Sequence, residues 1–255
     1  FSTGRSDVHR SADGEWTPSS EATVEELEGI AKAFDGLNHG ILQAVNDFNL
    51  ERPGDDFDEE WEIIGLDNLS RPGSENNVKA LANEKLKLFR GDIRCRSDID
   101  ELPKVDWVID CAANPSVLAG LDGKSSSRQL IENNLLGTIN LLEYCKKVKA
   151  GFILLSTSRV YSSENLANLT VEDDEEKFVI KDSNEAGISR IGINEAFPTT
   201  PPLSLYGAST LTSEPLLQEY ANCFDFPFWI NRCGVLAGAG QMGKAEQGIF
   251  SYWVH

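Results

Sequence analysis

The residues with the clearest capacity for chemistry are hydroxyl groups in two stretches of the chain. One stretch is Ser204-Leu-Tyr-Gly-Ala-Ser-Thr210, which opens a helix predicted to end near Cys223. The other is Phe152-Ile-Leu-Leu-Ser-Thr-Ser-Arg-Val-Tyr161, which has the pattern of a buried strand that ends in hydroxyls. The phenol of Tyr206 is the group in these stretches to consider as a base.

Tyr206 is a base only in its ionised form. A tyrosine with an unperturbed pKa of ~10 is ionised in roughly one molecule in a thousand at neutral pH. Lowering that pKa to ~7 takes about 4 kcal/mol of differential stabilisation, and a cation one helical turn away is the usual source. The residue at that position is Thr210, a neutral side chain that cannot supply this stabilisation.

Composition and charge favour a globular protein and argue against two classes of partner. The 255 residues are 40% hydrophobic, which suffices for one substantial core with an appendage. A formal net charge of -18 argues against binding to nucleic acid or to an anionic membrane surface, because both would repel the protein. No apolar run approaches the ~18 residues of a membrane span. Basic protein partners are compatible with this charge.

The cysteines and histidines indicate neither a disulfide framework nor a metal site. The cysteines are odd in number and form no C-x-x-C motif, so we predict reduced core thiols in an intracellular compartment. The three histidines lie outside the apparent catalytic region, which argues against a histidine-centred triad or metal cluster. The five cysteines are Cys95, Cys111, Cys145, Cys223 and Cys233.

Three segments of different composition define the predicted domain organisation. Residues 1–22 are polar and predicted to be a flexible tail, residues 23–60 an amphipathic helix with an acidic linker, and residues 61–255 an α/β domain. The sequence starts at Phe1 with a short stretch that contains serine and arginine. This start fits the remainder of a mitochondrial or plastid presequence, and a trimmed chain or a cytoplasmic protein is the alternative.

The amphipathic helix is predicted over residues 23–50, where apolar residues recur at three- and four-residue steps. Gly29, Gly36 and Gly40 each weaken such a helix by ~1 kcal/mol relative to alanine, so it needs tertiary or quaternary contacts to form. Two interpretations follow. The helix packs on its own domain, or it docks on a protein partner through its apolar stripe.

After residue 60, short apolar strands alternate with helical segments, which is the pattern of βαβ units. The pattern predicts an α/β fold with a Rossmann-like, doubly wound parallel sheet and a site at the carboxyl ends of its strands. The predicted strands are 61–66, 86–90, 105–112, 152–155 and 226–232, and the predicted helices are 130–147 and 206–223.

From Asp67 onward, over nearly 190 residues, the chain resembles the extended short-chain dehydrogenase/reductases. Within them it is similar to the CDP-paratose (CDP-tyvelose) 2-epimerases, because a series of motifs recurs in the same order and spacing. The motifs are Leu66-Asp-Asn-Leu-Ser-Arg71, Gly91-Asp-Ile93, Cys111-Ala-Ala-Asn-Pro-Ser-Val-Leu-Ala-Gly120, Asn134-Leu-Leu-Gly-Thr138, Leu155-Ser-Thr-Ser-Arg-Val-Tyr161, Leu205-Tyr-Gly-Ala-Ser209 and Asn231-Arg-Cys-Gly-Val-Leu-Ala-Gly238.

The resemblance implies a reaction in which NAD oxidises a sugar hydroxyl carbon to a ketone, and the NADH so formed then returns the hydride to the opposite face. It implies that Tyr206 is the base and that Thr157, with Ser156 beside it, polarises the substrate oxygen. The implied cofactor contacts are Asp67, Asn68, Asp92, Ile93, Ala112, Ala113 and Asn134, the last as a structural or a ribose contact. The implied nucleotide-sugar contacts are Pro115, Ser116, Asn231 and Arg232.

Several of these roles have a plainer alternative. Asp67 either accepts the ribose hydroxyls of the cofactor or is a solvated loop acid that caps a turn. Ser156 and Thr157 are either site residues or hydroxyls that bond the backbone at a strand end. Arg232 either faces the nucleotide sugar or belongs to a buried structural ion pair.

Three departures from the family pattern weaken the implied activity. Thr210 stands where the family has a lysine that also holds the nicotinamide ribose. No Gly-x-x-Gly-x-x-Gly loop precedes the first predicted strand, because the glycines of residues 23–50 have the wrong spacing and follow no strand. The sequence reaches His255 before most of the substrate-binding lobe that the family leads us to expect.

The absent glycine loop also predicts a gap, since the first strand of this fold is central in its sheet. A segment of residues 1–60, another chain or a longer parent protein would have to fill it. We therefore hold two hypotheses. The preferred one is a catalytically degenerate family member, kept as a structural or nucleotide-sensing accessory subunit of a larger organellar assembly. The other is an active NAD-dependent nucleotide-sugar 2-epimerase in which water or another cation supports Tyr206.

Overall fold

The computed structural model describes residues 9–10, 16–17, 62–71, 74–75, 78, 86–121, 123, 126–173, 178–181, 186–190, 192–234 and 236. Two compact units contain them, a larger one built on residues 103–234 and a smaller one built on residues 5–102 and 235–255. The predicted docking helix and acidic linker of residues 23–60 lie outside the described residues, and so does most of the predicted tail.

The smaller unit contains a pair of parallel strands at which predicted cofactor contacts lie. β3 pairs with β4 in parallel, and the register joins Asp67 to Arg90 at their carboxyl ends. The short strands β1 and β2 form an antiparallel pair within the predicted tail. The elements of this unit are β1 (His9–Arg10), β2 (Trp16–Thr17), β3 (Ile63–Asp67), β4 (Leu86–Arg90) and α1 (Arg96–Asp100).

The larger unit begins with β5 and ends with β11. In chain order its elements are β5 (Trp107–Asp110), α2 (Ser127–Ile131), a π-helical turn (Glu132–Leu136), α3 (Gly137–Val148), β6 (Gly151–Thr157), a 3-10 turn (Ser158–Val160), α4 (Ser163–Ala167), β7 (Val171–Asp173), β8 (Phe178–Ile180), β9 (Ile188–Ser189), β10 (Gly192–Ile193), α5 (Leu205–Phe224) and β11 (Phe228–Cys233).

A three-stranded parallel sheet forms the centre of the larger unit, in the order β5, β6, β11. The middle strand β6 is the most buried, with only Leu155 partly exposed. Helix α3 packs on β5 and β6, helix α5 packs on β6 and β11, and the two helices contact each other. Between β6 and α5, two small antiparallel hairpins, β7 with β8 and β9 with β10, interrupt the βαβ alternation.

The parallel strands and their crossover helices confirm the predicted Rossmann-like α/β fold. Several predicted bounds shift for local reasons. β5 ends at Asp110 instead of residue 112, because the Asp110 side chain accepts a hydrogen bond from the Ala112 amide at 3.1 Å and turns the chain. β11 starts at Phe228, after a proline that has no amide hydrogen to donate. Helix α5 continues through Pro215.

The prediction of core cysteines is wrong for most of the five. Only Cys145 is buried, on α3, whereas Cys233 is partly exposed and the other three are exposed. Cys95 precedes α1, Cys111 follows the end of β5, and Cys223 lies near the end of α5, so an apolar sequence context did not mean an inward-facing side chain. Among the described residues, no helix combines the length and hydropathy needed to cross a bilayer.

Candidate functional site

Tyr206 and Thr157 meet where α5 begins and β6 ends. Ser204 caps α5, because its hydroxyl accepts a hydrogen bond from the Gly207 amide at 2.9 Å, and Tyr206 therefore lies in the first helical turn. Thr157 is the last residue of β6, and its hydroxyl is hydrogen-bonded to the Tyr206 phenol. The structure thus brings together the two residues that the family resemblance pairs.

Gly207 allows this junction to be close. A Cβ atom at this position would lie 2.2 Å from the carbonyl oxygen of Arg159, which is far inside van der Waals contact. A residue without a side chain is therefore required where the first turn of α5 meets the 3-10 turn that follows β6. This backbone contact fixes the helix that carries Tyr206 against the strand that carries Thr157.

The surroundings of Tyr206 keep its phenol protonated. Burial raises the pKa of Tyr206 above its ordinary value of 10.0, and the hydrogen bond from Thr157 offsets only part of that effect. Cys233 also raises this pKa, whereas the positive charge of Arg159 lowers it. Because the pKa stays raised, the phenol is less readily ionised than that of a free tyrosine.

Thr210 lies one helical turn beyond Tyr206 and brings no charge to the phenol. Its hydroxyl donates a hydrogen bond to the Tyr206 carbonyl oxygen at 3.1 Å, and the side chain is buried. The hydroxyl is therefore satisfied within its own helix. A neutral, locally bonded group occupies the position at which the family has a cation.

Ser156 and Arg232 meet at a carboxylate, that of Glu214 on α5. The Ser156 hydroxyl donates a hydrogen bond to Glu214 Oε1 at 2.5 Å. Arg232 binds the same carboxylate through two nitrogens, with Nη2 at 2.7 Å from Oε2 and Nε at 3.1 Å from Oε1. The side chains of Arg232 and Glu214 are 18% and 6% exposed, so the geometry agrees with the alternative of a buried structural ion pair. Removing one partner of such a pair typically costs about 3–5 kcal/mol.

Asn134 lies in the π-helical turn and braces the loop that follows β5. Its Oδ1 accepts a hydrogen bond from the Asn114 amide at 2.7 Å. Its Nδ2 donates to the Asn114 carbonyl oxygen at 3.2 Å and to the Ser209 hydroxyl at 3.3 Å. These bonds engage both amide hydrogens and one lone pair of the carbonyl oxygen, which agrees with a structural contact, one of the two roles considered for Asn134.

The same loop carries further predicted contacts. Ala112 and Ala113 are exposed just after the end of β5. Their side chains are single methyl groups, which are too small to obstruct a cofactor. Pro115 is partly buried, and Ser116 is buried with its amide 3.3 Å from Asn114 Oδ1. Asn231, a further predicted sugar contact, lies buried on β11. Its Oδ1 accepts a hydrogen bond from the Trp229 indole at 2.8 Å.

The smaller unit holds the residues predicted to contact the adenosine end of a cofactor. Asp67 ends β3, is exposed, and accepts a hydrogen bond from the Leu69 amide at 2.6 Å. Asn68 donates to Asp92 Oδ2 at 3.0 Å. Asp92 also accepts two hydrogen bonds from the Arg94 guanidinium, at 2.9 and 2.6 Å, and these hold the pKa of Asp92 well below its usual range.

The residues of the smaller unit fit the adenosine half of a dinucleotide in part. Asp67 presents an exposed carboxylate of the kind that accepts ribose hydroxyls, and Ile93 is a partly buried apolar side chain beside Asp92. Asp92 itself is bonded to Arg94. Among the predicted adenosine contacts of the smaller unit, Asp67 therefore keeps an exposed carboxylate, whereas the carboxylate of Asp92 is already bonded within the protein.

Two residues of the site escaped the sequence analysis, Glu214 and Arg159. Glu214 lies on the buried face of α5, and a carboxylate there signals a buried partner, which the sequence could have revealed. The charge of Arg159 acts on Tyr206 through the fold of the turn after β6, for which residue spacing gives no signal. The buried residues of α5 are Gly207, Ser209, Thr210, Ser213, Glu214, Leu217 and Ala221.

The fold and the paired phenol and hydroxyl define a protein of the short-chain dehydrogenase-like class, with its site at the carboxyl end of a parallel sheet. The model of the NAD dependent epimerase/dehydratase family matches residues 56–255. The chain belongs to that family.

The chain is similar to known proteins whose names refer to nucleotide sugars. A dTDP-D-glucose 4,6-dehydratase of Dictyostelium discoideum is 34% identical over 184 residues, which are 70% of this chain and 38% of that protein. A UDP-glucuronic acid 4-epimerase from Bacillus cereus, solved with UDP-glucuronic acid and NAD, has a TM-score of 0.50 at 28% identity and covers 67% of this chain and 48% of its own.

A UDP-glucose 4-epimerase from Thermotoga maritima, solved with UDP-glucose, has a TM-score of 0.54. At 19% identity it supports the fold alone, over 76% of this chain and 54% of its own. The chain therefore spans about half, or less, of the length of these three proteins.

Asp110 ends β5 as a buried carboxyl group beneath the site loop. Its Oδ2 accepts a hydrogen bond from the Thr138 hydroxyl at 2.6 Å, and its Oδ1 accepts one from the Ala112 amide at 3.1 Å. Burial raises the pKa of Asp110 to about 6, by more than these two bonds lower it. The folded state therefore binds the Asp110 proton more tightly than the unfolded state does.

We predict that Asp110→Asn changes the pH dependence of stability. Since the folded pKa of about 6 lies above the ordinary 3.8, the wild type loses stability as pH rises between these values, and an asparagine does not titrate. The unfolding free energy of D110N minus that of the wild type should increase by about 2 kcal/mol from pH 4 to pH 7, as measured by urea unfolding.

The asparagine can keep both neighbours bonded, because the Thr138 hydroxyl also lies 3.1 Å from the Asn134 carbonyl oxygen and is able to turn toward it. Asp106→Asn, an exposed carboxyl group just before the same strand, is the matched control and should show no comparable trend. A D110N difference that is constant across this pH range would contradict the prediction.

Proposed function

We propose that this chain is a catalytically degenerate member of the family that serves as a structural or nucleotide-sensing accessory subunit of a larger assembly. The observation that carries the proposal is the state of Tyr206. Its pKa is raised by burial, and the residue one turn away is a neutral threonine whose hydroxyl is bonded to the helix backbone. Oxidation of a sugar hydroxyl requires a base, and a protonated phenol accepts no proton.

The groups that are retained support binding. When bound, NAD would supply the hydride acceptor for a sugar alcohol. Asp67 would hold its adenosine ribose, and the exposed Ala112 and Ala113 would face its nicotinamide half. We propose that NAD binding is weakened, because the sequence has no glycine loop for the pyrophosphate and Thr210 offers no cation.

The accessory role rests on charge and on the N-terminal segment. A net charge of -18 is compatible with basic protein partners, and residues 23–50 carry the pattern of an amphipathic helix, for which docking on a partner is one of the two interpretations. We propose a mitochondrial or plastid assembly on the basis of the first residues, with the cytoplasm as the alternative location.

A second candidate function, an active NAD-dependent CDP-sugar 2-epimerase, is favoured by one observation. The positive charge of Arg159 acts on the Tyr206 phenol from the side of β6 and lowers its pKa in part. In that case Arg159 would replace the family lysine, and Pro115 and Ser116 would contact the sugar. The pKa of Tyr206 nevertheless stays above its ordinary value, which is why we place this function second.

Cofactor binding and turnover separate the two candidates. The degenerate member should bind NAD+ and NADH more weakly than micromolar, as followed by nicotinamide fluorescence or by the melting temperature, and should not convert CDP-paratose or CDP-tyvelose. The reason is the missing pyrophosphate loop together with the protonated phenol. Micromolar binding combined with turnover of a CDP-sugar would reject the degenerate reading in favour of the epimerase.

Introducing the missing cation tests the electrostatic argument directly. Thr210→Lys should lower the pKa of Tyr206 by about one to three pH units, since an opposite charge within ~4–6 Å favours the ionised form. The pKa of Tyr206 is measured from the ultraviolet absorbance of tyrosinate as pH rises. Subtracting the titration of the matching Tyr206→Phe variant removes the contribution of the other tyrosines. Thr210→Val removes the hydroxyl without adding charge and should leave the pKa within about half a unit. An unchanged pKa in T210K would remove the main support for the proposal.

The accessory role predicts a stable association in the source cell. The tagged chain should co-purify with a large complex, and deletion of residues 23–50 should abolish this association, because the apolar stripe would then be lost. The deletion variant must keep the urea unfolding midpoint of the α/β domain as a control. Purification as a free monomer at physiological salt would contradict the accessory role.

A further inference from the structure

We infer that Glu214 is a positioning residue for the Tyr206–Thr157 pair, and that it acts by holding the carboxyl ends of β6 and β11 against α5. The inference goes beyond the proposed function, because it concerns the internal geometry of the pair and does not depend on which ligand, if any, is turned over.

The contacts of Glu214 reach β6 at Ser156, one residue before Thr157, and reach β11 at the position opposite Ser156. Its carboxylate accepts the hydroxyl of Ser156 at 2.5 Å, and Ser156 directly precedes Thr157 on β6. It also binds Arg232, whose Nη2 lies 2.7 Å from Oε2 and which directly precedes Cys233 on β11. In the parallel register of the two strands, Ser156 is opposite Arg232 and Thr157 is opposite Cys233.

Helix α5 is thereby fixed to the sheet at two points. Near its start, Gly207 lies against the carbonyl oxygen of Arg159. Eight residues beyond Tyr206, about 12 Å along the helix axis, Glu214 is bonded to the strand ends. A rigid helix held at two separated points does not slide or rotate against β6, and the Thr157 hydroxyl stays within hydrogen-bonding reach of the phenol.

Arg232 connects this anchor to the segment that lies between β6 and α5. Its Nη1 donates a hydrogen bond to the Glu195 carbonyl oxygen at 3.2 Å, and its guanidinium lies 5.3 Å from the centre of the Tyr161 ring. The ion pair therefore has three further protein partners, Ser156, Glu195 and Tyr161, which makes it well suited to hold a geometry and leaves Arg232 less available to a ligand.

The test measures ionisation at Tyr206 in the folded protein. Site-specific incorporation of 3,5-difluorotyrosine at position 206 lowers the intrinsic pKa of the phenol and gives a single ¹⁹F signal to titrate. We compare the wild type with Glu214→Gln, Ser156→Ala and Thr157→Val, and with the double variants E214Q/T157V and S156A/T157V. Glu219→Gln, an exposed carboxylate further along the same helix, is the charge-matched control.

If Glu214 acts through Thr157, E214Q and S156A each raise the pKa of the labelled phenol by about 0.5 to 1 pH unit, which is three- to tenfold less phenolate at a given pH. Neither change adds to the effect of T157V in the double variants. E219Q leaves the pKa unchanged.

Two results would overturn the inference. A lower pKa in E214Q would indicate a direct effect of the lost negative charge, and a full shift that persists in the T157V background would show that Thr157 is not the intermediary. Ser156→Ala removes one hydrogen bond and keeps the ion pair, so it decides the question if E214Q fails to fold. The outcome of the NAD titration does not affect the outcome of this ¹⁹F titration. The ¹⁹F result likewise does not decide whether NAD binds.

Discussion

The junction between the first turn of α5 and the end of β6 is the constraint on which the site depends. A backbone carbonyl from the turn after β6 occupies the space in which residue 207 would carry a side chain, so the helix starts in direct contact with the strand end. That contact brings the phenol of Tyr206 to the hydroxyl of Thr157 and also buries the phenol. The pairing of the phenol with the hydroxyl and the burial that raises the phenol's pKa thus arise from the same packing.

The buried polar groups around this junction differ from Tyr206 in how they are compensated. Asn134 and Glu214 each bond several protein groups, and the buried carboxyl group of Asp110 has two donors and an elevated pKa. Burial of such groups is affordable when every polar atom finds a partner. Tyr206 has the Thr157 hydroxyl as its partner, and this hydrogen bond and the charge of Arg159 both favour its ionised form, but burial outweighs them and the pKa stays raised.

The threonine that stands at the position of the family lysine is bonded within α5. Thr210 is buried and bonds the carbonyl oxygen one turn earlier, so a position that would otherwise carry a charged group needs no counter-charge. Fold and catalytic electrostatics are separable here, because the sheet, the helix cap and the Glu214 anchor do not involve that side chain. The presence of the family fold therefore does not by itself indicate that a chain carries out the family reaction.

The sequence by itself determined the α/β class, the parallel strands and the nature of residue 210, because alternating apolar strands and helices and the identity of a side chain are local properties. Local patterns also predicted buried cysteines, and this was wrong for most of them, since a strand or helix context does not say which way a side chain faces. Only the tertiary structure decided that Ser156 and Arg232 share Glu214, that Asn134 braces the loop after β5, and that Arg159 acts on the phenol. These contacts join residues that are far apart in the chain, and their distances are set by how helices pack on the sheet, which residue spacing does not encode.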